Sequence, residues 1–355
     1  MTARGASGPK PAGPKPAGNA KSDPQAAIAR ALKASLLPGD APTSAAEIAE
    51  ASRFLAEAGR LREPGNAAIL VDSVTGPVGK RFTRIAVVND NMPFLVDSMA
   101  LALTSLGLTM QRLLHPVVTV RRDDAGHLLA VNGKAGEGAA RESLVYIEAD
   151  RADARTRVRL RALIETVLGD VRAAVADWPR VQAAMLTDAD RLEADGEAEG
   201  AALLRWFNSG MLTQLGHVVR RRDGSHAGAL GICRKSTRTL LEPANYDRAF
   251  AWFDGGKGAA PLIVKANRIS NVHRHVPLDV IMVPVWSGGK IEALSIHAGI
   301  WTSAALSAPP QQVPRLRAQL AGVMDKFRFD PQGHDGKALV HALTKLPHDL
   351  LIAFE

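Results

Sequence analysis

The chain has a single cysteine, Cys233, among 355 residues. That excludes an internal disulfide framework and a cysteine-based zinc site, and it fits a reducing cytoplasm. Aromatic residues make up only 5% of the chain. So few rings among the basic residues speak against base stacking on single-stranded nucleic acid. No apolar run approaches the roughly 18 residues that a membrane-spanning helix needs. The polar, Pro/Gly-rich N-terminus has no apolar segment and is not a secretory signal. An acidic excess is also absent, since 44 basic residues against 36 acidic ones leave a net charge of +8, of which +3 lies in the first 25 residues. Arg151, Arg155, Arg157, Arg159 and Arg161 crowd one stretch. They read as the solvated face of a helix, because no DNA- or RNA-binding module accompanies them. Neither nucleic acid nor a membrane is expected as a partner.

What is present is enough for roughly two to three domains of about 100–200 residues each. Residues 1–25 repeat PKPAG, a composition that buries too little apolar surface to offset ordering entropy, and they read as a disordered tail. Residues 26–80 read as a helical extension and loop, with the second helix starting at Thr43 or Ser44 and a strand at Ala68–Asp72. The most informative stretch is Arg84–Arg122, which reads as strand, tight turn, helix, strand. Ile85, Val87 and Val88 form a β-branched run. Asp90 and Asn91 are both good helix N-caps, and Pro93 fits a first turn. Leu95, Met99, Ala102, Leu103 and Leu106 recur at helical spacing, and Gly107 sits where a left-handed terminator belongs.

A third strand at Leu144–Ala149 and a long amphipathic helix closing at Trp178-Pro179 follow. The order β-α-β-β-α is most of a ferredoxin-like βαββαβ unit over residues 81–186. Its last strand must come from Val181–Leu186 or from elsewhere. Residues 187–199, acidic and small, read as a linker. Residues 200–330 read as a second α+β unit, with hairpins about Arg222-Asp223-Gly224 and Trp286-Ser287-Gly288-Gly289. Residues 331–355 read as a short helix and then the start of a further strand at Asp349–Glu355. An apolar strand end left unpaired is an aggregation liability, so the chain is expected to continue past Glu355.

Several ordered blocks carry a resemblance: VVNDNMPFLVDSMALALTSLGL with HPVVTVRRD, then YIEAD, DVRAAVADW, KANRISNVHRHVPLD, FDPQGHDGK and LPHDL. Together these resemble, over residues about 81–350, the N-terminal region of the large bacterial NAD-specific glutamate dehydrogenases. The resemblance implies an α+β chain of tandem ferredoxin-like, ACT-type units with antiparallel sheets behind a helical N-terminal extension. It implies a regulatory and oligomer-forming segment of an enzyme that converts L-glutamate and NAD to 2-oxoglutarate, ammonia and NADH. The catalytic region would lie downstream, as partner to this segment in a cytoplasmic homo-oligomer. No catalytic residue and no bound cofactor are expected in this chain; NAD belongs to the full-length enzyme. A free-standing amino-acid sensor is the alternative reading, and a basic nucleic-acid binder a third.

The residues agree that a nucleotide site is missing. The nearest G-x-G-x-x-G match, Gly136 to Arg141, ends in arginine and leads into a strand. Ser98, Ser143 and Ser303 lack a nucleophile-elbow setting. His273 and His275, read as i and i+2 on a strand, would share a face, but no third metal ligand stands at short spacing, so no metal is expected. Lys265, Asn267, Arg268, His273, Arg274 and Asp279 read instead as a polar cluster holding a sheet edge or a domain contact. By the resemblance, ACT-type units bind amino acids where the first strand meets the first helix. Asp90, Asn91, Asp97 and Ser98 are therefore the candidate effector residues: the helix N-terminus would take the carboxylate and Asp90 or Asp97 the ammonium. The bland alternative is that Asp90 and Asn91 merely cap the helix and Asp97 is a surface or domain-contact residue. Asn91 stands where the family has a second Asp. Gln214 and His217 stand where it has aromatics, which suggests weaker packing or a diverged copy.

Overall fold

The computed structural model describes residues 23–39, 42–76, 79–132, 139–234, 240–256 and 260–352. Most of the tail expected to be disordered, and the glycines of the rejected nucleotide match, lie outside the described residues.

Two helices open the chain. α1 (Pro24–Ala34) starts inside the stretch read as tail, with Asp23 accepting the Gln25 N–H at 3.0 Å. α2 (Ala45–Gly59) starts in a capping box, where Ser44 and Glu47 satisfy each other's free N–H groups. Ile28, Leu32, Phe54 and Leu55 of this pair pack on one face of the first sheet.

That sheet comprises β1 (Ala68–Thr75), β2 (Arg81–Asp90), β3 (Met110–Leu114), β4 (Val117–Arg122), β5 (Leu128–Val131) and β6 (Ala139–Ala149), with α3 (Leu95–Ser105) between β2 and β3. The order is β1-β2-β6-β4-β5, with β3 also on β6. Both faces are covered. Ala86 and Val88 face α1 and α2, while Ile85 and Val87 join the core on the other side. The unbroken apolar run of β2 follows from this, because alternate side chains point to opposite faces. The closing strand does not come from Val181–Leu186. It is β1, which precedes β2 in the chain and pairs with it antiparallel from Ala68↔Val88 to Thr75↔Arg81.

α4 (Ala154–Ala194) corrects two expectations. It runs 41 residues straight through Pro179 and through most of the stretch read as a linker. Proline removes one ladder hydrogen bond and crowds the preceding turn, at a cost of about 3 kcal/mol. Val181, Met185, Ala189 and Leu192 continue the buried helical stripe beyond it, now against the second sheet. That packing holds the helix together across the proline.

α5 (Ala198–Trp206) passes through a turn at Phe207–Met211 into β7 (Leu212–Arg221) and β8 (His226–Gly231). Then come α6 (Pro243–Asp254), β9 (Leu262–Ile269), β10 (Pro277–Ser287) and β11 (Lys290–Trp301). The second sheet has the order β8-β7-β11-β10-β9. A hairpin, a helix and a three-strand meander are not a βαββαβ unit, so the expectation of two like units in tandem fails here. The tight turns at Asp223-Gly224 and Gly288-Gly289 join sequence neighbours directly, leaving β7 to close against β11. α7 (Ser303–Ser307), α8 (Leu316–Phe327), α9 (His334–Leu343) and α10 (His348–Leu351) end the chain. The strand expected from Asp349 is a helical turn: Pro347 caps it, and Ile352 is fully buried in the core. Residues 353–355 lie outside the described residues. One continuous core runs from Ile85 to Ile352 and joins both sheets across α4.

Candidate functional site at the charged end of the first sheet

β2 ends at Asn89-Asp90, opposite Ser143 and Glu142 of β6. Glu142 is fully buried. A charge cannot stay there unpaired, and two arginines meet it. Arg62, from the loop after α2, donates Nε to Glu142 Oε1 at 2.9 Å and Nη2 to Asp90 Oδ1 at 2.7 Å. Arg122 of β4 grips Glu142 with two parallel bonds of 2.8 Å. This fork-to-fork geometry fixes direction as well as charge. Arg172 of α4 completes the group by donating to Asp90 Oδ2 and to Asn89 Oδ1. Burial works to raise the pKa of Asp90, but the bonds from Arg62 and Arg172 outweigh it and hold the carboxyl below its usual range. Three guanidinium groups against two carboxylates leave one positive charge.

Beside this network lies a cavity of about 640 Å³, lined among others by Arg62, Glu63, Asn66, Glu165, Arg172 and Arg234. Arg234 follows β8 and donates to Asp177 Oδ1 at 2.7 Å. Asp177 is fully buried on α4 and also accepts the Gly231 N–H at 2.7 Å. The cavity wall is thus drawn from the 61–68 loop, from α4 and from the exit of the second sheet. It carries both cationic and anionic side chains.

The structure places the sequence-derived residues differently from one another. Asp90 and Asn91 do not cap α3. The N-cap is Phe94, in a left-handed conformation without a side-chain cap bond. Asp90 is the last residue of β2, held by its ladder, and both its oxygens are taken by arginines. Asn91 accepts the Ser143 hydroxyl at 3.0 Å. Asp97 and Ser98, in the first turns of α3, meet His273. The six residues read as one polar cluster divide among separate contacts. Lys265 bridges Asp279 at 2.7 Å and Asp349 at 2.5 Å. Arg268 lies 3.7 Å from Asp170 of α4, Arg274 donates to the Trp301 carbonyl, and Asn267 is exposed. His273 and His275 lie in the β9–β10 loop, not on a strand, and His273 has φ 66°. Their shared-face geometry is therefore absent.

Sequence reasoning missed Arg62, Glu142, Arg172, Asp177 and Arg234. Glu142 lies between Arg141 and Ser143 in the polar first half of β6, a setting that does not by itself announce a buried partner. Nothing local marks which of the 44 basic residues supplies that partner.

Comparison with known proteins agrees with the resemblance read from the sequence. Residues 40–164 match the family model of the glutamate dehydrogenase ACT1 domain. Residues 313–355 match that of glutamate dehydrogenase helical motif 1. An NAD-specific glutamate dehydrogenase of Halomonas elongata is 30% identical over 299 residues, covering 77% of this chain and 18% of that protein. The Pseudomonas aeruginosa protein of the same name is 29% identical over 287 residues, covering 75% and 18%. That of Mycobacterium tuberculosis is 24% identical over 308 residues, covering 81% and 18%. The chain therefore spans less than a fifth of the curated relatives it matches. Among the described residues, no helix is long and apolar enough to cross a membrane.

Proposed function

From this likeness to the NAD-specific glutamate dehydrogenases, we propose that the chain is their N-terminal regulatory and oligomer-forming segment. Its first sheet is an ACT-type, ferredoxin-like unit in which β1 takes the place of the closing strand. The reaction it serves is the oxidative deamination of L-glutamate with NAD, carried out by a catalytic region outside these residues, in the cytoplasm. This segment binds no NAD itself. It senses a small amino acid or 2-oxo acid.

The observation that supports this reading is the cavity whose wall is shared by the first unit, α4 and Arg234. A carboxylate there faces Arg172 and Arg234, while Glu165 or Glu63 takes an ammonium. Asp90 then orients Arg62 and Arg172 and does not itself meet the ligand, while Asn91 fixes the turn, and Asp97 with Ser98 holds the second unit. A ligand that touches both units has different contacts in any two arrangements of them, which is what a shift in population requires.

Calorimetric titration of the 355-residue chain with the amino acids, 2-oxoglutarate and other 2-oxo acids tests this. Saturable binding that weakens at least about tenfold in Arg172→Ala and Arg234→Ala supports the reading. Absence of binding by every compound, or binding indifferent to both substitutions, overturns it.

A further inference from the structure

The second sheet contains a polar group that the effector cavity does not use. His217 of β7 and His297 of β11 are directly opposed in the antiparallel register. Their side chains therefore stand on one face, with ring centroids 4.7 Å apart. That face meets α4, which presents Asp188. Asp188 Oδ2 lies 2.7 Å from His297 Nε2 and accepts the Ser295 hydroxyl at 2.5 Å. The same Ser295 oxygen is 2.9 Å from His217 Nε2. One ligand atom each from Asp188, His217 and His297 falls within 4.8 Å of the others.

We propose that Asp188, His217 and His297 form a divalent-metal site of the zinc class, which ties α4 to the β7–β11 pair. Two imidazoles and a carboxylate are a recurring three-ligand set for zinc, and Ser295 or a water supplies the fourth position. Binding a metal at His297 Nε2 displaces the proton now shared with Asp188. That proton leaves to solvent or moves to Nδ1 of the same ring.

A closed, metal-filled site fits better than the alternatives. Asp188 is 2% exposed, His217 7% and His297 0%. No substrate reaches Ser295 at that depth, which argues against nucleophilic chemistry. Nδ1 of both histidines is buried without a hydrogen-bond partner among the described residues, so each ring is held by its Nε2 edge, the edge that faces Asp188 and Ser295. Such nitrogens are costly in a core where an aromatic ring would serve, and an aromatic is what the family resemblance has at position 217.

The test uses the 355-residue chain without an affinity tag, stripped with a chelator and titrated with Co²⁺ and then Zn²⁺. The expected result is about one Co²⁺ per chain with the visible spectrum of a tetrahedral site. Zn²⁺ should displace it, and Tm should rise with metal. His217→Phe restores an aromatic core and should fold while losing at least about tenfold in metal affinity. Asp188→Asn, equal in size, should behave alike, and His275→Ala should bind as the parent does. The proposal is overturned if the parent takes up no metal in a tetrahedral site, or if folded His217→Phe and Asp188→Asn bind as well as the parent.

Discussion

Asp97 of α3 and His273 of the β9–β10 loop meet at 3.0 Å between Oδ2 and Nδ1. The next residue, Ser98, accepts the His273 N–H at 3.1 Å. His273 holds φ 66°, and its ring tilts against Phe94 at 5.0 Å. The helix start that invites an anion is thus covered by the second unit's own loop. The two contacts should separate by mutation. The Asp97–His273 pair is 55% and 33% exposed at its side chains, so a double-mutant cycle with alanine should give a coupling of only about 0.2–1 kcal/mol. Ser98 is fully buried, and Ser98→Ala should cost about 1–3 kcal/mol by leaving an N–H unpaired. Urea unfolding of the parent, the three cycle variants and Ser98→Ala checks both values.

Glu142 should be the most sensitive position of the charged network. Glu142→Gln keeps the shape but leaves Arg62, which is 5% exposed, with Asp90 as its one remaining carboxylate partner. Loss of a buried ionic partner costs about 3–5 kcal/mol. Arg53→Gln, an exposed helix-surface residue paired with Glu50, should cost less than about 0.5 kcal/mol. Equal costs in denaturant melts would show that burial is not the cause.

Asp279 gives a pH dependence with a definite sign. Burial pushes its carboxyl up to about 6 from an ordinary 3.8, and the charge of Asp349 adds to this, while Lys265 works against both. The folded chain therefore holds this proton more tightly than the unfolded chain does. Its contribution to stability is full below about pH 4 and is lost as pH rises through about 6, by up to about 3 kcal/mol. Asp349→Asn removes a repelling charge and should bring Asp279 down. Carboxyl carbon NMR across that range reads the titration directly.

Gly231 ends β8 with φ +60°, and a Cβ there would lie 2.0 Å from the Leu215 carbonyl oxygen. Its N–H also anchors Asp177. Gly231→Ala is strained in its backbone and crowded by main chain, so it should cost at least about 1–3 kcal/mol. The thermal midpoint should fall by several degrees. An unchanged midpoint would mean that the hairpin can shift away from α4 without loss.

Much was legible in residue order alone. The β-branched run at Ile85–Val88, the helical spacing from Leu95 to Leu103, the helix start at Ser44 and the tight turns of the second sheet all act through neighbours a few positions apart. The family blocks are equally local. What needed the tertiary structure was every outcome settled at long range. Pro179 ends a helix in isolation, and only packing of Val181 and Met185 on a second sheet carries α4 past it. β1 closes the first sheet because β2 has a free edge beside it, not because of its place in the chain. Asp90 reads as a cap until Arg62 and Arg172, 28 and 82 positions away, claim its oxygens. His217 and His297 are separate histidines, 80 positions apart, until the strand register sets them face to face over Asp188. Periodicity and capping fix which face a segment buries, while the partner that face meets depends on contacts that spacing along the chain does not encode.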